Sequence, residues 1–176
     1  VYNNAIAVGS NNAVTVNNIT VNGAISLPGT IGFLGTSVLI SASNVQGLSG
    51  SSSTPVAIPL SSLTTVSGSN FPFATLDANK TTLTIYYDGI YTIGCIKCSH
   101  TSSSSTNRTY QIWRYANNGT TVLDQTGDLQ AVSSVQMGVK AGNKIAFMNT
   151  TNNISFCANG IPSYWTIIPA TQGFSG

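Results

Sequence analysis

The sequence predicts an all-β sandwich of short strands. Three features predict it: apolar residues recur at every second position, no segment carries a 3.6-residue apolar stripe, and Asn, Asp and Gly break the chain at short intervals. The alternation is clearest at Leu83-Ile85-Tyr87, Tyr91-Ile93-Cys95, Tyr110-Ile112, Val135-Met137-Val139 and Ile145-Phe147. A strand turns successive side chains to opposite faces, so each set marks one buried face. Punctuation falls at Asp88-Gly89, Asn117-Asn118-Gly119, Ala141-Gly142-Asn143 and Asn159-Gly160.

Composition narrows the class. With 176 residues, 6% of them charged, the chain reads as one domain plus an appendage whose polar surface is Ser, Thr and Asn. Six Lys or Arg face four Asp, and Glu is absent. The cations (Lys80, Lys97, Arg108, Arg114, Lys140 and Lys144) are scattered, so no basic stripe exists to neutralise successive phosphates and nucleic acid is not an expected partner. No uninterrupted apolar run approaches the roughly 18 residues of a membrane span. The start at Val1, without a basic-then-apolar leader, predicts a processed or excised chain.

Taken in chain order, the first element is repetitive. A unit of the form Asn-(Asn/Gly)-apolar-x-apolar recurs as NNAIAV from Asn3, NNAVTV from Asn11, NNITV from Asn17 and NGAISL from Asn22. Its spacing is too short and irregular for a solenoid, whose units run to about 20 residues or more. Strands this short cannot bury an apolar face alone, so residues 1–35 are read as a β-repeat neck or shaft completing its core between chains. The alternative is a hairpin arm packed on its own head. Gly29, Gly32 and Gly35 share the collagen period but do not continue it, and read as a turn-rich junction. The Ser/Gly stretch from Gly47 to Thr54 reads as an exposed loop.

Residues 36–176 form the head. It opens with SVLISAS, then NFPFATLDANKTTLTIYYDGIYTIG, a strand-turn-strand ending in Gly89 and Tyr91. RTYQIWRYANNGTTV follows as a strand and Asn-rich hairpin, AVSSVQMGVKAGNKIAFM as paired strands about Gly142, and SYWTIIPA as a closing strand. This order of elements resembles the globular head of the first complement component and the related tumour necrosis factor-like jelly rolls, over roughly Ser37 to Ala170. The chain departs from that pattern at Asn143, where the family usually has an acidic residue, and in its ending, which SYWTII copies loosely. The resemblance implies a ten-stranded jelly-roll sandwich assembled as a tight homotrimer with an aromatic-rich surface between subunits. Tyr87, Tyr91, Trp113, Tyr115, Phe147 and Trp165 are the aromatics to be divided between core and subunit contact.

Residues that could carry chemistry are few. The single histidine, His100, lies beside a Ser run, no G-x-S-x-G elbow occurs, and Asp77, Asp88, Asp124 and Asp128 are dispersed through turns. No catalytic set, cofactor site or metal site is therefore expected, a surface calcium site at Asp124 or Asp128 being the weak alternative. Cys95, Cys98 and His100 superficially suggest half a zinc site, but strand side chains three apart face opposite ways. In the fold that the resemblance implies, a disulfide from Cys98 or Cys95 to Cys157 leaves one buried thiol, with Cys98 and Cys157 the pair put forward; three free thiols are the alternative. Asn18, Asn79, Asn107, Asn118, Asn149 and Asn153 each begin Asn-x-Ser/Thr, which predicts a glycoprotein or reflects the Asn/Ser/Thr-rich composition alone.

A repeated neck below a trimeric, nearly chargeless head is the plan of a fibre or spike, so the expectation is a non-enzymatic, extracellular attachment protein on a virion surface. Its head would meet a host receptor or glycan through Thr101 to Thr106 (Ser102, Ser103, Ser104) and Asn117 to Gly119 (Asn117, Asn118). Its neck would join other virion or surface-layer proteins. A bacterial cell-surface or spore-coat protein is the alternative.

Overall fold

The computed structural model describes residues 37–66, 73–97, 100–102, 109–130, 132–156 and 163–170. The expected neck, 1–35, lies outside the described residues, as do Cys98, Ser103, Ser104 and Cys157. The described chain is entirely β. Its strands are β1 (Ser37–Ala42), β2 (Val45–Leu48), β3 (Val56–Ala57), β4 (Leu60–Val66), β5 (Ala74–Leu76), β6 (Leu83–Ile85), β7 (Gly89–Lys97) and β8 (His100–Ser102). They continue as β9 (Thr109–Tyr115), β10 (Val122–Gln125), β11 (Leu129–Gln130), β12 (Ser134–Val139), β13 (Lys144–Asn149), β14 (Ile154–Phe156) and β15 (Tyr164–Pro169).

Two antiparallel sheets face each other. One has the order β12-β7-β15-β1-β4, the other β10-β9-β13-β6-β5 with β11 and β3 attached to β9 and β13. The first and last described strands pair centrally, Val38 opposite Ile167 and Ile40 opposite Trp165, so the sandwich closes its own ends. A small third sheet, β2-β14-β8, caps one end. It accounts for part of the difference between fifteen segments and the ten expected. β2 begins after a two-residue gap from β1, past a register shift at Ser41/Ala42, so one long run of chain crosses from a main sheet into the cap.

The period-two pattern sets the core. Val38, Ile40, Tyr91, Ile93, Cys95, Met137, Val139, Trp165 and Ile167 point inward from the first sheet, meeting Leu83, Ile85, Tyr110, Ile112, Ile145 and Phe147 from the second. Trp165, fully buried, stacks on Phe147 at 5.0 Å and meets Tyr110 edge-on at 6.3 Å. Each such aliphatic or aromatic side chain contributes about 1.5–3 kcal/mol by leaving water. The Asn117-Asn118-Gly119 and Ala141-Gly142-Asn143 turns form as predicted, Gly119 at φ 72° and Gly142 at φ 84°, where a Cβ is disfavoured.

Two local readings are corrected. β6 ends at Ile85, leaving Tyr87 38% exposed in the connection to β7 instead of inside a strand. The Ser/Gly loop is strand at its start only: Gly47 and Leu48 lie in β2, Gly47 donating its N–H to Ser155 Oγ at 3.2 Å, while residues 49–54 carry no strand.

Candidate functional site

The outward face of the first sheet is built from the residues that alternate with the core positions. Register places Ser62 and Thr64 of β4, Ser37, Leu39 and Ser41 of β1, Tyr164, Thr166 and Ile168 of β15, Ile90, Thr92, Gly94 and Lys97 of β7, and Ser134, Gln136 and Gly138 of β12 on this one surface, with exposed Ile96 at the bulge beside Lys97. Lys97, at the end of β7, is the single charged residue among them. Ile168 is 44%, Ile90 36% and Ile96 52% exposed, yet a solvated sheet face ordinarily carries polar and charged residues at such alternate positions. A surface this apolar and this poor in charge matches the composition of a protein contact. Backbone approach keeps it close-packed: a Cβ on Gly94 would fall 2.5 Å from the Ser133 carbonyl oxygen, so only Gly allows β12 to lie this near β7.

The described recognition candidates lie on different strands: Asn117 and Asn118 follow the Tyr115 end of β9, and Ser102 closes β8 in the cap sheet, while Ser103 and Ser104 lie outside the described residues. At the Asn117 end three segments converge. A Cβ on Gly142 would meet Asn117 Cβ at 3.5 Å, and Asp88 Oδ1 accepts from Ala141 N at 2.7 Å, tying the Asp88, Lys140–Asn143 and Asn117–Gly119 turns together. Asn118 Oδ1 accepts from Thr120 N and Thr121 N at 3.0 Å each, and its Nδ2 donates to Thr121 Oγ1 at 2.9 Å. Asn118 thus shapes its own turn. Asn117 is exposed beside it and takes no part in that bonding. Of Ser102 only the backbone, paired with Ile154, is placed.

No protein-family model matches the sequence, and no curated protein is similar to it. Solved structures are similar in fold. Eiger TNF from S. frugiperda matches with a TM-score of 0.50 at 14% identity, covering 80% of this chain and 96% of that one. GITRL from bushbaby (TM-score 0.44, 16% identity, 80% and 99% covered) and murine APRIL (0.47, 10%, 75% and 97%) also align. The head is a tumour necrosis factor-like jelly roll.

Within this jelly roll the predicted aromatics divide differently from the expected trimer surface. Trp165, Phe147 and Tyr91 are buried in the core, Tyr91 donating its hydroxyl to Tyr87 O at 2.8 Å. Burial, with Asp88 and Tyr87 adding to it, pushes the Tyr91 hydroxyl up to about 12. Trp113 and Tyr115 are half-buried on the outer face of the second sheet, and none of the six lies on the outward face of the first sheet, whose apolar members are aliphatic apart from Tyr164. Sequence inspection ranks aromatics first for contact, and missed these aliphatics because period two alone does not say which set faces in.

Cys95 is disulfide-bonded, and Cys98 and Cys157, the pair put forward from the sequence, lie outside the described residues. Cys95 continues the inward row of Tyr91 and Ile93, which puts its sulfur inside the sandwich. Among the described residues no group of three or more His, Cys, Asp or Glu is gathered for a metal. Asp124 lies 3.8 Å from Arg114, and Asp128 accepts from Gln111 and Ser52. Of the sequons, Asn149 is fully buried, its amide donating to Leu48 O and Thr151 O at 3.2 and 2.7 Å, whereas Asn79, Asn118 and Asn153 are exposed. Asn18 and Asn107 lie outside the described residues.

Proposed function

We propose that the chain is the head of a homotrimeric, extracellular attachment protein, a virion fibre or spike whose 1–35 repeat is the shaft that joins it to other virion or surface-layer proteins. One observation carries the reading: an entire five-stranded sheet presents an outward face with a single charged residue, Lys97 at the end of β7, and with three exposed isoleucines. Copies of the chain meeting on this face would bury it, and a closed ring of like subunits leaves no copy of it exposed. The Asn117, Asp88 and Lys140–Asn143 turns, held by one another on a rigid scaffold, then form a recognition end for a host receptor or glycan.

Analytical ultracentrifugation of residues 1–176 tests assembly. A trimer is expected, and Ile168→Asp together with Ile90→Asp should dissociate it into folded single subunits. A folded wild-type monomer in dilute solution would overturn the proposal. For attachment, Asn117→Ala should weaken cell binding by about tenfold while leaving trimers intact; unchanged binding would remove the Asn117 end from recognition.

A further inference from the structure

Away from that charge-poor face, the outer face of the second sheet holds an aromatic ring fixed by a polar relay. Gln111, Trp113 and Tyr115 of β9 alternate with the inward Tyr110 and Ile112, and register sets Gln125 of β10 and Ala146 of β13 directly opposite Trp113. Directly opposed side chains of an antiparallel pair share a face. Trp113 Nε1 donates to Gln111 Oε1 at 2.8 Å, Gln111 Nε2 donates to Asp128 Oδ1 at 2.9 Å, and Ser52 Oγ donates to the other oxygen of Asp128. The Tyr115 ring lies 5.9 Å from that of Trp113, tilted by 49°.

The relay has two consequences. An indole has a single donor, and here the protein uses it, so the half-exposed remainder of Trp113 offers carbon surface only. The ring is also held in advance: Gln111 is 6% and Ala146 1% exposed, so its neighbours are packed and a ligand laid on it costs little extra ordering.

The surroundings are polar but carry little net charge. Exposed Gln125 adds an unpaired amide beside Trp113, and Asp128 has acceptor capacity left after its two donors, since an ionised carboxylate offers about four lone-pair directions. At the Tyr115 end Lys144 is held by Asp77 and by Thr84, so its charge is neutralised. An apolar ring edged by amide donors and a carboxylate acceptor suits a ligand with a C–H face and hydroxyl edges. The remaining negative charge of Asp128 disfavours an anionic one.

We propose that this face binds a neutral carbohydrate, a sugar ring lying on Trp113 with its hydroxyls donating to Asp128 and accepting from Gln125. This rests on the attachment reading and narrows its ligand. The test uses the 1–176 trimer on an array of neutral, sialylated and sulfated oligosaccharides, with lactose, maltose and cellobiose titrated in solution while tryptophan fluorescence is followed. Trp165 is fully buried, so a ligand-dependent shift reports Trp113. Binding to neutral glycans is expected, with a loss of about tenfold or more in Trp113→Ala. Gln125→Ala, at an exposed position that cannot unfold the sheet, should weaken binding severalfold without changing trimer content or melting temperature. Absence of glycan binding, selectivity for sialylated or sulfated glycans, or full binding by both variants would overturn the site. Cell attachment by a trimer that ignores every glycan would remove the carbohydrate site and leave the attachment reading standing; a chain that neither trimerises nor attaches would end both.

Discussion

At the scale of single residues, the acid and alkaline edges of stability have separate owners. Burial would raise the Asp77 carboxyl, but hydrogen bonds from Lys144, Thr84 and Thr82 outweigh it and hold it below the ordinary carboxylate value. A carboxyl depressed in the folded state stabilises above its unfolded value, so this contribution is complete above about pH 4 and is lost as pH falls below it. Asp77→Asn should flatten the acid limb of a pH-melting curve and cost about 1–3 kcal/mol at neutral pH, because Lys144 loses its counter-charge; an unchanged acid limb would assign it elsewhere. Tyr91, Tyr110 and Tyr115 are raised chiefly by burial, so stability is full below about pH 10 and declines above it as the unfolded state ionises first. Trp165 offers a different test, since its Nε1 is buried without a hydrogen-bond partner. Trp165→Ala should cost about 3–5 kcal/mol in denaturant melts. Trp165→Phe should recover most of that loss, since the ring contacts with Phe147 and Tyr110 can persist while the unsatisfied donor disappears.

At the scale of strands, close backbone approach is the sharpest constraint. Gly94→Ala would push a methyl group against the Ser133 carbonyl and the Ser134 backbone, so β12 must move off β7 at a cost of about 1–3 kcal/mol, checked by thermal melting of the variant. The same strands show what the sequence makes legible. Inward rows such as Tyr91-Ile93-Cys95 and Val135-Met137-Val139 follow from alternation, because one buried face forces period two, and the Asn-Gly and Ala-Gly turns follow from their need for positive φ. Tyr87 was misplaced because its spacing continues the Leu83-Ile85 row while the chain has already left the sheet. The Gln111-Asp128-Ser52 relay was beyond reading, since it joins residues far apart in the chain through a register no local pattern encodes. The charge-poor face was visible only as composition; topology was needed to gather Leu39, Ile90 and Ile168 onto one surface.

At the scale of the molecule, the near absence of charge makes a claim about how the proposed trimer is held. An interface built on ion pairs weakens with salt, because the screening length falls from about 30 Å at 0.01 M to about 3 Å at 1 M. One built from Leu39, Ile90, Ile96 and Ile168 among Ser, Thr and Gly has only Lys97, at the end of β7, to screen, and sulfate strengthens apolar burial by its exclusion from protein surface. The trimer's dissociation constant should therefore change less than about twofold between about 0.05 M and 0.5 M sodium chloride, and should fall in sodium sulfate. Sedimentation equilibrium across that series measures it directly. Dissociation driven by sodium chloride would mean that the subunits meet through the few charged side chains at the loop ends, Lys140 and Asp88 among them, and that the charge-poor sheet serves some other contact.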